Sequence, residues 1–310
     1  MREDNAAWRR ENLGYRLFAA NDRFLRDKLR VVAAGGFPDI SDALLALFVN
    51  VDPGGTRVTE IARRAGLAKQ SVTELVNRAE YLDLVGRASD PDDLRARIVR
   101  FTPQGNRVVE RLRQAIDEAE SACRAIVGTG FADEFKARFG AYSVLPVEGG
   151  EIVGDATGLR AGSAWRGGNV GRVFALASRR FAREALGRVH ARSYREVGEG
   201  LLALFRNLDL DGTRLTDLAA RAHITKQSMR ELVDRAETLG FVARCLDAKD
   251  QRAKIIAFTG KGRTLLDTLG EGIAGAEVEA SRIVGADFLT ETKLRLSAYA
   301  APPTFRVAPA

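Results

Sequence analysis

Leu67–Thr102 reads LAKQSVTELVNRAEYLDLVGRASDPDDLRARIVRFT, and a second stretch, Ile224–Thr259, reads ITKQSMRELVDRAETLGFVARCLDAKDQRAKIIAFT. In the first, Val72, Leu75, Val76, Ala79 and Leu82 recur at the three-and-four spacing of one buried helix face. At about 100° per residue, Gln70, Thr73, Glu74 and Asn77 then point away from that face. Lys69, Ser71 and Arg78 lie on its flanks. The second stretch carries Lys226, Gln227, Ser228, Arg230 and Arg235 at the corresponding places. Two β-prone runs follow the first helix, Leu84-Val85 and Ile98–Phe101. The polar segment Asp90–Arg97 between them has a suitable length for a hairpin turn.

Upstream, Thr59 is expected to cap a short helix with an apolar stripe of Ile61, Ala62 and Ala65, closed by Gly66. Two short helices joined at a glycine make a helix-turn-helix, and a hairpin after them makes a wing. The second copy has Thr216, Leu218, Ala219 and Ala222, with His223 in place of the glycine. Polar and amide side chains at the start of a second helix suit base edges in a major groove, where a glutamine can bond adenine through two atoms. An ordinary solvated face is the bland alternative, and the surroundings weigh against it. Arg95 at the wing tip is expected to enter a minor groove, with Asp93 holding its guanidinium and Arg97 close by. Arg252 and Lys254 are the second copy's counterparts.

These residues resemble a known family, the multiple-antibiotic-resistance regulators (MarR). The second copy is similar through Thr225-Lys226-Gln227-Ser228-Met229, Glu231–Asp234 and Leu239–Val242. Its wing, Asp247–Lys254, resembles the family's Asp-Pro-x-Asp-x-Arg-Ala tip and runs into Phe258-Thr259-x-x-Gly262. The first copy matches with Lys69-Gln70-Ser71, Asp90-Pro91-x-Asp93-x-Arg95-Ala96 and Phe101-Thr102-x-x-Gly105. It departs at Asp83, where the family usually has glycine, and Leu94 and Gln251 stand where many members have a further wing arginine. The resemblance implies DNA-binding transcriptional regulation, often with a small-molecule effector held between interlocking helices and the winged-helix unit. Trp8, Asn12, Tyr15 and Arg16, with Trp165, Asn169 and Arg172, are the expected lining. Packing anchors are the other reading of the two tryptophans.

The duplication runs far beyond the opening stretches. A constant offset of 157 positions, that between Lys69 and Lys226, pairs Trp8 with Trp165, Asn12 with Asn169, Gly14 with Gly171 and Phe24 with Phe181. It also pairs Leu45–Phe48 with Leu202–Phe205, and Tyr142 with Tyr299. No gap interrupts it, which marks an internal repeat. The expected organisation is a winged-helix domain at 1–142, a linker at 143–163 and a second winged-helix domain at 164–310. Each copy is expected to open on a long helix from about Ala6 or Ala164. A second helix follows over Ser41–Val49 or Glu196–Asn207. After the wing, Thr102 and Pro103 look like the cap and first residue of a long helix. Its stripe is Val108, Leu112, Ala115, Ala119, Ala122 and Ile126, and Gly128 ends it.

The first, fifth and last helices have more apolar surface than a small winged-helix core can cover. The fold class is therefore mainly α with small β-hairpin wings, two tandem winged helix-turn-helix domains folding into an intramolecular pseudo-dimer, monomeric in solution. A linker of this length spans roughly 65 to 70 Å at about 3.3 Å per residue, so reach does not forbid it. Two separate beads on a string are the alternative.

With 310 residues, 45% hydrophobic and 29% charged, the composition is that of a globular protein with room for two cores. A net charge of +7 favours a polyanionic partner, here double-stranded DNA. The charged start, Met1–Asn5, lacks a signal peptide's apolar core, and no apolar run approaches a membrane span, so a cytoplasmic protein with no membrane partner is expected. Two cysteines, Cys123 and Cys245, and two histidines, His190 and His223, form no metal pattern. No nucleophile motif or phosphate-binding glycine loop is present, so no catalytic residue, metal or cofactor is expected. A protein-interaction module that has lost DNA binding is the rival function.

Overall fold

The computed structural model describes residues 7–144, 168–222, 224–247 and 253–301, the side chains of Ala7 and Trp8 excepted. Apart from Ser143 and Val144, the expected linker lies outside the described residues, as do Trp165, His223 and Arg252. The first copy runs α1 (Ala7–Glu11), α2 (Leu13–Ala34), α3 (Asp42–Phe48), β1 (Thr56–Arg57), α4 (Val58–Ala65), α5 (Lys69–Tyr81), β2 (Val85–Asp90), β3 (Asp93–Phe101), α6 (Pro103–Val127) and α7 (Thr129–Val144). The second runs α8 (Val170–Ala191), α9 (Glu199–Asn207), β4 (Thr213–Arg214), α10 (Leu215–Ala222), α11 (Lys226–Thr238), β5 (Val242–Leu246), β6 (Lys254–Phe258), α12 (Gly260–Val284) and α13 (Ala286–Ala300). The protein is mainly helical, with two three-stranded antiparallel sheets ordered β1-β3-β2 and β4-β6-β5.

Local chemistry sets the boundaries. Ser41 caps α3 by accepting from the Leu44 amide. The N-cap of α4 is Arg57, two residues before the expected Thr59, and its side chain does not bond the helix's free amides. The cause is β1: Thr56 and Arg57 pair with Val99 and Ile98, and the strand delivers the chain directly into the helix. Gly66 closes α4 in the left-handed conformation at φ 66°. After α5, Asp83 takes the same unusual region at φ 54°, where its counterpart Gly240 has φ 76°. A short polar side chain tolerates that region, so the missing glycine does not alter the turn.

Thr102 then joins wing to long helix. Its hydroxyl donates to the Asp83 carbonyl at 2.6 Å and accepts from the Gly105 amide at 3.0 Å. Thr259 repeats this with Gly240 and Gly262 at 2.6 and 3.0 Å. Gly105 and Gly262 are required here: a Cβ on either would collide with the backbone carbonyl of Leu84 or Phe241. Along α6 the buried stripe follows the expected spacing as far as Ala119. It then passes through Cys123 and Val127, leaving Ala122 and Ile126 exposed.

The chain forms two compact units, and neither is contiguous in sequence. One comprises 1–16 with 178–293, the other 17–177 with 294–310. In the unit holding α9 to α12, Leu201, Leu204, Phe205, Met229, Val233, Phe241 and Leu265 form a winged-helix core. In the unit holding α3 to α6, the equivalents Leu44, Leu47, Phe48, Val72, Val76, Leu84, Val108 and Leu112 do the same.

Each unit also contains a segment from the other half of the sequence. In the first, the buried Arg9 guanidinium donates to the carbonyls of Phe205 and Leu208 at 2.8 and 2.6 Å. The Leu13 amide there donates to the Glu277 carboxylate at 2.6 Å. In the second, the Val170 amide donates to the Glu120 carboxylate at 3.2 Å, and Phe174 packs on Phe24, Phe135 and Tyr299. Leu13 and Val170, like Glu120 and Glu277, are repeat equivalents.

Where one long opening helix is expected, the chain breaks at Asn12. The Asn12 side chain accepts from the Tyr15 amide and donates to the Arg9 carbonyl, both at 2.9 Å. It thus ends α1 and caps α2.

Candidate nucleic-acid interface

The α5 helix turns Val72, Val76 and Ala79 into the core, which leaves Lys69, Gln70, Ser71 and Arg78 exposed on the other side and Thr73 half-buried. In α11, Met229, Val233 and Ala236 are buried, while Lys226, Gln227, Ser228, Arg230 and Arg235 are exposed. The amides are lightly held: Gln70 donates to Glu74 at 3.4 Å and Gln227 to Glu231 at 3.0 Å. Such within-helix pairs exchange readily for a ligand. The Thr73 hydroxyl instead donates to its own helix at the Lys69 carbonyl. Its counterpart Arg230 reaches outward with no hydrogen bond or ion pair among the described residues. Arg235 donates to the Glu196 carbonyl at 3.2 Å, so it ties α11 to the loop before α9.

The two reading helices start differently. Thr225 caps α11 by accepting from the Ser228 amide at 3.0 Å, and its hydroxyl also bonds that of Ser228. Ala68 stands at the same place before α5 and supplies no side-chain bond.

Three ion-pair arrangements recur in both copies and fix the helix-turn-helix and wing. Arg64 binds Asp52 at 2.9 Å and the Asn50 carbonyl at 3.2 Å, and Arg221 binds Asp209 and the Asn207 carbonyl at 2.7 and 3.0 Å. Arg87 joins the sheet to α5 through Glu80 and Asn77, as Arg244 joins it to α11 through Glu237 and Asp234. Asn77 and Asp234 are therefore engaged by the protein itself. Arg57 bonds Asp90 at 2.6 Å, and Arg214 bonds Asp247 at 2.9 Å. These arginines were not among the expected site residues. The signal that could have found them is the repeat offset, which pairs both members of each bridge.

The first wing is tighter than the polar run implies. Only Pro91 and Asp92 separate β2 from β3. The register passes from Ser89 opposite Arg97 directly to Asp90 opposite Asp93, so Leu94, Arg95 and Ala96 are displaced from the ladder as a bulge. Asp93 does not hold the Arg95 guanidinium. Its carboxylate accepts from the Arg95 backbone amide at 3.2 Å and faces Arg57 at 3.5 Å. The guanidinium that Asp93 faces is carried by β1 at the sheet's far edge. The Arg57 and Asp92 contacts hold the Asp90 carboxyl below its ordinary range. Arg95 and Arg97 are exposed and make no side-chain bond among the described residues. Lys254 is likewise exposed at the start of β6, while Arg252 lies outside the described residues.

The expected effector lining is more scattered. Asn169 accepts from the Arg172 amide at 2.9 Å, so both asparagines are capping residues in this structure. Tyr15 and Arg16 are half-buried, and burial pushes the pKa of Arg206 down. Arg172 is half-buried, and Trp165 and the Trp8 side chain lie outside the described residues.

Burial pushes the Cys123 thiol up to about 12, which leaves it protonated and unreactive at neutral pH. Cys245 is exposed on β5. Among the described residues no cluster of three or more His, Cys, Asp or Glu could hold a metal, and no helix is long and apolar enough to cross a membrane.

No family model matches the chain. No curated protein matches it either. Among the solved structures similar to part of it are two of CouR. CouR from Rhodococcus jostii RHA1 bound to p-coumaroyl-CoA is 25% identical over 42% of this chain and 93% of that one, with a TM-score of 0.34. The transcriptional repressor CouR bound to a 23-mer DNA duplex is 22% identical over 47% of this chain and 100% of that one, with a TM-score of 0.38.

Proposed function

We propose that the chain is a DNA-binding transcriptional regulator whose two winged helix-turn-helix copies act as an intramolecular pseudo-dimer on two unequal half-sites. One observation carries the reading. Each copy leaves cations unpaired, and a glutamine held only by a neighbouring glutamate of its own helix, on the face that a helix-turn-helix and wing present to a duplex. These are Lys69, Gln70, Arg95 and Arg97 in one copy, and Lys226, Gln227, Arg230 and Lys254 in the other. A surface built only for solubility has no reason to keep the same cations unpaired at repeat-equivalent places. Phosphate neutralisation needs such charges, and the amides supply base-edge contacts.

The pseudo-dimer is supported by the exchange of segments within each compact unit. The Leu13–Glu277 and Val170–Glu120 bonds are made by repeat-equivalent residues, one bond within each unit, and each joins the two halves of the sequence. Two reading helices in such an arrangement would address sites about 34 Å apart, one turn of DNA. Arg230 opposite Thr73 gives one half-site a contact to guanine or phosphate that the other lacks. The C-cap side of each helix is held by Arg87 or Arg244, which leaves the first two turns as the reading surface. Release by a small molecule, near Tyr15 and Arg16 in one unit and near Arg172 in the other, is the remaining part of this proposal.

Selection of bound duplexes from a random pool, repeated across salt concentrations, tests the reading. Two related, non-identical half-sites and a steep fall of affinity with salt are expected. A perfect palindrome would refute the unequal half-sites. Absence of salt-dependent binding would leave the fold as a protein-interaction module.

A further inference from the structure

We propose that Leu94 is a minor-groove wedge, a contact that the first wing makes with DNA and the second does not. The inference rests on the DNA-binding reading above. Leucine is costly to leave in water, and the tip of a hairpin is the place where it is least easily covered. Leu94 is 81% exposed. Nothing in its strand demands an apolar residue there, because the register places it in the bulge between the Asp93–Asp90 and Arg97–Ser89 pairs. The bulge pushes Leu94 and Arg95 out together.

The tip that carries them is held from both sides. Arg57 reaches across from β1 to Asp90 and Asp93, and the Asp90 carboxylate accepts from the Asp92 amide at 3.0 Å. A side chain on a held support loses less freedom on binding. Its neighbours identify the occupant. Arg95 and Arg97 follow it with uncommitted charge, while Asp93 before it faces Arg57, and this suits a phosphate-walled groove better than an apolar protein surface. Leucine in a minor groove packs on sugars and presses on a base step, and flexible pyrimidine–purine steps yield to it most easily. The repeat places Gln251 opposite Leu94, so the second copy has a polar residue at the wedge position. The wedge would therefore bend or unstack DNA at one end of the operator only.

The test uses the full-length chain and the duplex that it selects from a random pool. The variants are Leu94→Gln, which copies the second wing, and Arg95→Ala. A 2-aminopurine is placed at each outer step in turn. For Leu94→Gln we expect about a tenfold loss of affinity from the lost apolar contact, with the salt slope unchanged. The preference for a flexible step should disappear at one end of the operator, and the 2-aminopurine enhancement there should vanish. Arg95→Ala should lower the salt slope by about one instead. Equal melting temperatures for the variants and the parent establish that all are folded. Unchanged affinity and step preference in Leu94→Gln would overturn the wedge while leaving DNA binding intact. A parent protein that binds no duplex would overturn both.

Discussion

Phe181 lays its ring against the backbone of Gly14, so that a Cβ on that glycine would lie 2.5 Å from the ring edge. Their repeat equivalents make the reciprocal contact, with the Phe24 ring against Gly171. Each pair joins residues from different halves of the sequence within one compact unit. Gly14→Val should cost about 2 kcal/mol, because neither the helix backbone nor the ring can yield fully. Phe181→Ala should cost more alone but make Gly14→Val nearly neutral. A double-mutant cycle by urea denaturation reads the coupling, and strict additivity would refute the contact.

Segment exchange has a consequence for cleavage. A protease site placed between residues 150 and 160 should be cut without separating the two halves. The cleaved chain should elute as one species on size exclusion and come apart only in denaturant. Halves that separate at micromolar concentration in native buffer would count against the proposed pseudo-dimer.

Gly105→Ala should destabilise the first winged helix by on the order of 3 kcal/mol, since its Cβ meets a backbone carbonyl that no rotamer can relieve. Gly262→Ala should act alike on the other copy. Gly130→Ala, where nothing lies within 4 Å, is the neutral control. Thermal melts of the three proteins provide the measurement.

Arg57→Ala should lower the melting temperature modestly, because Arg57 is half-exposed but its loss leaves the buried Asp90 carboxylate with the Asp92 amide. Freed from Arg57, the wing tip must be ordered on binding, at a cost of about threefold to tenfold in affinity for the selected duplex. Titration of that duplex, alongside Arg95→Ala, separates lost order from lost charge. Only the latter should flatten the salt dependence.

Glu60 supplies a pH test. Hydrogen bonds and charge from Arg63 and Arg64 lower its pKa from 4.5 to about 2. A carboxylate depressed in the folded state stabilises fully above its unfolded value near 4.5. That contribution fades as pH falls towards about 2. Glu60→Gln should therefore be less stable than the parent at pH 6, and the difference should shrink steadily between pH 4.5 and 2. A difference independent of pH, read by urea denaturation at each pH, would disprove this ion-pair account.

Much of this architecture was legible because helices announce themselves over many residues. The α5 and α11 faces, the Gly66 stop and the Thr102-Pro103 start all follow from periodicity and capping chemistry. What was illegible depends on distant partners. Two-residue β1 has no periodicity to display, yet it displaces the expected Thr59 cap and brings Arg57 to the wing. The guanidinium that faces Asp93 proved to be 36 positions away, across a strand, and two positions along only the Arg95 backbone amide bonds it. The break at Asn12 reflects a choice between helix continuation and a side-chain cap, which the flanking apolar spacing does not reveal. Exposure of the reading face was predictable from the helix period. The commitment of Asn77 to Arg87, and hence the narrowing of that face, was not.

The pairing of residues 1–16 with 178–293 also bears on how the protein is made. Its opening segment leaves the ribosome long before the polypeptide it packs against has been translated. At about 5–20 residues per second, that wait is on the order of tens of seconds. Throughout it, Leu13 and its neighbours have no native surface to cover them. A nascent chain of this design completes both units only when residues 294–300 have emerged.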